Sequence, residues 1–133
     1  MSFFDFWTES IAIDLGTANT LIIHNDKVVV DSPSIVAIDQ KSDKIIAVGK
    51  EANLMHGKTH ENIKTIRPLK DGVIADFNAS EQMIGQLIKS IPNLNKRFYS
   101  PSLKMVICIP SGITEVEMRA VKESVSYTHL RAH

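Results

Sequence analysis

The chain has 133 residues, 44% hydrophobic and 23% charged, which suits one globular unit with a real core and excludes a disordered, highly charged tail. Fifteen basic residues balance fifteen acidic ones, so there is no basic footprint for a nucleic acid. No apolar stretch approaches the ~20 residues of a membrane-spanning helix, and a single cysteine, Cys108, excludes an internal disulfide; a reducing, cytoplasmic setting is the simplest expectation.

The N-terminal ten residues concentrate Phe3, Phe4, Phe6 and Trp7, half of the chain's aromatics, and lack the basic region of a signal peptide. Ile11 to Thr20 reads as a short apolar strand, an acidic residue at its end, and a tight Gly-Thr-Ala-Asn turn. Leu21 to His24 and Lys27 to Val30 continue as two further strands, separated by Asn25-Asp26. Ser32-Pro33-Ser34 breaks the pattern. Ile35–Ile38 and Ile45–Val48 predict a second small hairpin, and 51–55 predicts a brief helix stopped by Gly57. Residues 59–67 are polar, with Ile63 and Ile66 alternating weakly, and Pro68 ends them.

Two helices are better marked. Asn78 with Glu81 forms a capping-box signature, and Met83, Ile84, Leu87, Ile88 and Ile91 fall on one helical face until Pro92. Thr114 with Glu117 opens the second. Between them, the apolar run of 104–110 predicts a parallel strand buried on both faces, with Cys108 as a small buried hydrophobe. The expected class is therefore α/β: three antiparallel strands, a small insertion, a helix, a buried strand and a helix.

The turn carries the chemistry. Backbone N–H groups converge on phosphate oxygens only where the chain turns tightly with small side chains, as Gly16 and Ala18 allow. Thr17, Asn19 and Thr20 add side-chain donors, and Asp14 is placed to organise Mg²⁺ through its water shell. A glycine turn between two strands differs from a P-loop, whose glycines lead into a helix. It points to ATP sites of the actin, Hsp70 and sugar-kinase type. An ordinary β-turn is the competing reading, since Gly and Asn favour turns for conformational reasons alone. The Asp-Thr-Gly motif of aspartic proteases is a look-alike, from which Leu15 and the residue order separate this chain.

Other residues of interest read as structural. His56 and His60 sit four apart but have Gly57 between them and no third ligand nearby. Asp71 and Asp76 are expected to cap the turn at Gly72 and the first helix rather than to act as catalytic carboxylates. Ser111 lacks a nucleophile elbow and a well-placed histidine.

Four stretches resemble the MreB family of bacterial actin homologues: 11–20, 31–38, 62–77 and 108–117. The string from Arg67 to Asp76, Arg-Pro-Leu-Lys-Asp-Gly-Val-Ile-Ala-Asp, is the most specific of them. The resemblance runs from about Phe3 to Ser124. It implies the actin-like ATPase (ribonuclease H-like) fold, here only its N-terminal half. Subdomain IA would comprise 11–31 and 66–124, and the small subdomain IB would comprise 32–65. It further implies ATP and Mg²⁺ as cofactors and Asp14, Gly16, Thr17, Ala18, Asn19 and Thr20 as cofactor-binding residues, with Asp14 on the metal. Filaments of the protein itself would lie on the inner face of the cytoplasmic membrane. They would recruit MreC, MreD, RodZ and cell-wall synthases for lateral wall growth, with no nucleic-acid partner.

Residues 1–10 resemble the amphipathic membrane anchor of that family, which would press Phe3, Phe4, Phe6 and Trp7 into the lipid interface. Asp5 and Glu9, with no basic residue nearby, offer anionic lipid no help; an arm packing its aromatics on the core is the alternative. Departures from the family pattern are plain. A second glycine-rich phosphate loop, the catalytic glutamate and the adenine-binding region have no counterpart, so no catalytic residue is assigned. Residues 125–133 read as a foreign tail. Rival readings are a sugar or acetate-type kinase fragment, an Hsp70-like fragment, and an inactive truncated product.

Overall fold

The computed structural model describes residues 8–58, 61–92, 102–108, 114–116, 118–119 and 122. In chain order its elements are β1 (Thr8–Leu15), β2 (Asn19–His24), β3 (Lys27–Pro33), β4 (Val36–Asp39), β5 (Lys44–Val48), α1 (Gly49–Met55), β6 (Ile63–Ile66), β7 (Leu69–Lys70), β8 (Val73–Ile74), α2 (Phe77–Lys89) and β9 (Ser102–Cys108). They form a four-stranded sheet ordered β3-β2-β1-β9, a three-stranded sheet ordered β5-β4-β6, and the β7-β8 hairpin.

The meander β1-β2-β3 follows from three apolar runs separated by turn residues. Asn25 and Asp26 both take positive φ (49° and 62°), the type I′ geometry whose twist matches a two-residue hairpin. β9 pairs parallel with β1, Ile13 opposite Ile107 and Asp14 opposite Cys108. Strand alternation then sorts the sheet's two faces. Ile11, Ile13 and Leu15 of β1 join Ile22 and Val30 in the core. α2 covers that face with Met83, Ile84, Leu87 and Ile88, the apolar stripe expected from the sequence.

β9 is an outer strand, and its exposure departs from expectation. Val106 is 61% exposed and Cys108 is exposed, so the strand is not buried on both faces. Both belong, with Asp14, to the face opposite α2, and no described residue covers them there.

The small sheet is covered on both sides. Val36, Ile38, Ile45, Val48 and Ile66 pack into the main core, whereas Ile35, Ala37 and Ala47 form a second cluster with Ala52 of α1, joined by Met55 and Ile63. Its third strand, β6, falls in the segment read as polar with a weak alternation. Pairing with β4, Val36 opposite Ile66, makes it a strand although its own pattern is faint.

Of the two residues expected to cap α2, Asp76 does so and Asn78 does not. Asp76, not Asn78, is the N-cap, its side chain accepting from the Ala79 N–H at 2.9 Å, and Asn78 already lies inside the helix. Asp76 has the extended backbone (φ −133°) that a cap requires. For the second helix, Glu115, Val116, Met118, Arg119 and Lys122 are helical, and the Met118 N–H donates to the Thr114 carbonyl. The Glu117 partner expected for its cap lies outside the described residues, as do Phe3, Phe4, Phe6, Trp7, His60, Ser111 and residues 125–133. Among the described residues no helix is long and apolar enough to cross a membrane.

Candidate nucleotide site

The β1–β2 turn is built from its glycine outward. The Gly16 N–H donates to the Asn19 carbonyl at 3.1 Å, closing the turn. A Cβ at residue 16 would stand 2.5 Å from that same carbonyl oxygen, so only glycine fits. Thr17 and Ala18 form the tip. Ala18 and Asn19 are exposed and Thr17 is half-buried. Among the described residues, the N–H groups of Thr17 and Ala18 have no intrachain partner, so two backbone donors stand open at the tip. Asp14 is also exposed, because alternation along β1 sends it opposite to Ile13 and Leu15.

The turn is held from its inner side. Ser34, wholly buried, donates its hydroxyl to the Gly16 carbonyl at 2.7 Å, and its backbone N–H donates to the Ala18 carbonyl at 2.8 Å. Thr20 Oγ1 lies 2.8 Å from Ser34 Oγ. A hydroxyl has one proton, and Ser34 has given its own to Gly16, so Thr20 is the donor of that pair. A third element arrives from the β7-β8 hairpin, whose tip residues Asp71 and Gly72 take φ of 51° and 73°. The Gly72 N–H donates to Thr17 Oγ1 at 3.1 Å, which leaves the Thr17 proton available to a ligand. Arg67 Nη1 makes a long contact of 3.5 Å with the Ala18 carbonyl.

Asp14, Thr17, Ala18 and Asn19 are therefore accessible at one turn, with Gly16 shaping it. Thr20 must be corrected. It was expected to contact phosphate, but it is wholly buried, one alternation step away from Asn19, and its hydroxyl is spent on Ser34. Its role is internal. Among the remaining candidates, His56 Nδ1 pairs with Thr65 Oγ1 at 2.7 Å, and Asp76 caps α2, as described above. Among the described residues no group of three His, Cys, Asp or Glu side chains could hold a metal ion.

Sequence reasoning did not single out Ser34, Arg67 or Gly72 for the site. Ser34 was read only as part of a pattern break, although a small polar residue between Pro33 and the apolar Ile35 has no core role unless it bonds something buried. Arg67 and Gly72 were used as a family signature, and their approach to the turn spans 49 and 55 residues of chain, which no local pattern encodes.

A meander joined to a parallel strand, with a small inserted sheet and a glycine turn open at the strand ends, defines the class of actin-like ATPase folds. The MreB/Mbl protein family matches residues 8–129. The chain belongs to that family. The matched span extends beyond Ser124, where the sequence resemblance was expected to end. It is 49% identical over 123 residues to the cell shape-determining protein MreB of Haemophilus influenzae, covering 89% of this chain and 34% of that protein. Against the cell shape-determining protein Mbl of Bacillus subtilis it is 48% identical over 119 residues, covering 89% and 35%. MreB5 of Spiroplasma citri, in a crystal structure bound to AMPPNP, superposes with a TM-score of 0.70 at 37% identity, covering 91% of this chain and 36% of that one. The chain thus spans about a third of the length of the relatives it matches.

Proposed function

We propose that these residues form one side of the ATP cleft of a filament-forming, cell-shape-determining bacterial actin homologue. The observation that carries this reading is the turn: two open N–H donors at Thr17 and Ala18, the Thr17 proton, and the Asn19 amide. That donor set suits an anion with several oxygens, and the turn contains no lysine to neutralise its charge. Mg²⁺ fits the remainder. The exposed carboxylate Asp14, at the end of β1, matches a metal that keeps most of its water and takes its other ligands from phosphate. The bound metal supplies charge neutralisation, and this chain's residues orient the phosphates it accompanies. The AMPPNP bound to MreB5, at 37% identity, supports an adenine nucleotide as the ligand.

Under this proposal the four-stranded sheet with α2 is subdomain IA, and the β5-β4-β6 sheet with α1 is subdomain IB. The whole protein self-assembles on the inner membrane surface, held there by Phe3, Phe4, Phe6 and Trp7. There it organises wall synthesis with MreC, MreD and RodZ. Isothermal titration with Mg-ATP tests the core of it. A protein of family length that carries these residues should bind, whereas the 133-residue chain, with one side of the cleft, should bind weakly or undetectably. Micromolar binding by the 133-residue chain alone would refute the one-sided reading. No binding by the longer protein would refute the nucleotide reading.

A further inference from the structure

The geometry points to Ser34 as the positioning residue of the phosphate turn, an inference that rests on the nucleotide reading above. A trans peptide unit is planar, with its carbonyl and its N–H directed oppositely. Holding the Gly16 carbonyl inward therefore aims the Thr17 N–H outward, and holding the Ala18 carbonyl fixes the other side of the tip, where the chain enters β2. Ser34 supplies both holds, one from its hydroxyl at 2.7 Å and one from its backbone N–H at 2.8 Å. Gly16 makes such a clamp necessary, because a glycine flank lets the Gly16–Thr17 peptide rotate at little cost. A flipped peptide would present a carbonyl oxygen to phosphate instead of a donor.

Burial protects the clamp. Ser34 and Thr20 are both wholly buried, so their hydroxyls are shielded from water and bond to each other and to the half-buried Gly16 carbonyl. The Thr20 hydroxyl, donating to Ser34 Oγ, fixes the rotor of the serine so that its proton faces Gly16. Ser34 itself is anchored on both sides. It follows Pro33 at the end of β3, and it precedes Ile35, which is wholly buried in the cluster beneath α1. The Gly49 N–H donates to the Ile35 carbonyl at 2.9 Å and secures that flank. The orientation of the turn is thus set at the joint between the two sheets.

The test separates phosphate recognition from general stability. In the family-length protein, Ser34→Ala should weaken Mg-ATP binding about tenfold, the cost of leaving a half-buried carbonyl without its donor. Adenosine, which lacks phosphate, should bind as it does to wild type. Ser34→Thr keeps the hydroxyl and should restore most of the ATP affinity. Unchanged Mg-ATP affinity in Ser34→Ala overturns the proposal. Equal losses for ATP and adenosine also overturn it, since they report a general structural defect. Where Ser34→Ala does not fold, Ser34→Cys, which fills the space but donates poorly, is titrated with the same two ligands and judged by the same outcomes. Wild-type protein that gains no affinity from phosphates would instead refute the nucleotide reading, which keeps the two failures distinguishable.

Discussion

Replacing Gly16 by alanine is the sharpest probe of the turn. The added Cβ would lie 2.5 Å from the Asn19 carbonyl oxygen, inside the 3.0 Å that real Cβ atoms essentially never breach. The obstacle is backbone, so no side chain can swing aside; the turn itself must open. Opening stretches the 3.1 Å bond from the Gly16 N–H to Asn19. Losing that bond costs about 1 kcal/mol, and the strain of overfilling a tight site adds about 1–2 kcal/mol. The total of about 2–3 kcal/mol can appear in two places. Strain retained in the free protein lowers its stability. A turn that relaxes open without ligand instead weakens Mg-ATP binding, by about 30- to 150-fold if it bears the whole cost. Urea denaturation and Mg-ATP titration of the family-length protein, run on the same variant, should give losses that sum to this total. Unchanged stability together with unchanged affinity would show that the turn has slack, and the steric argument would fail.

Three further outcomes are expected. Asp76→Ala should destabilise by about 1 kcal/mol and Asp76→Asn far less, because an amide oxygen also caps. Asn78→Ala, inside the helix and exposed, should stay within about 0.5 kcal/mol, and a larger cost at Asn78 than at Asp76 in urea denaturation would overturn the observed cap. The Ser42 hydroxyl donates to Asp39 and holds its carboxyl below the ordinary carboxylate value against the opposing effect of desolvation, helped by the Lys41 and Ser42 N–H groups and the Lys41 charge. A depressed folded value adds stability above the ordinary pKa that is lost as pH falls through the folded one. Ser42→Ala should therefore move the Asp39 titration upward by NMR and shrink that acid-side loss; an unmoved titration would contradict the assignment. Replacing Phe4 and Trp7 together by serine should release the family-length protein from liposomes, and unchanged co-sedimentation would remove the membrane role of the N-terminal aromatics.

The elements most legible in the sequence are those whose local pattern and tertiary role agree. The β1–β3 meander announces itself by apolar runs broken at Asn25-Asp26, and α2 by the spacing of Met83, Ile84, Leu87 and Ile88. β6 was less legible because Ile63 and Ile66 are its only strong signal; its identity as a strand comes from pairing with β4, 24 to 30 residues earlier in the chain. Cys108 shows the converse. A continuous apolar run reads as buried, yet exposure depends on what lies over a strand, which its own residues do not state. At the site, the exposed turn from Asp14 to Asn19 was readable because a tight glycine turn is a local device. Thr20 misled because a hydroxyl beside a turn looks like a ligand until strand alternation places it inside, and Ser34 was silent because its two bonds cross 16 and 18 residues.

The small sheet has its base inside the main core. Val36, Val48 and Ile66, at the sheet's inner end, share a cluster with Leu87 and Ile88, while residues 40–43 at its far turn are exposed. A sheet rooted in this way should open together with the main core. Amide exchange in β4 should therefore report opening of the whole unit, not of a detachable flap. The same rooting divides evolutionary freedom unevenly. The segment can lengthen, shorten or change charge at its tip, where only water responds, whereas each change at its base is felt at once by α2, by the sheet and, through Ser34, by the turn.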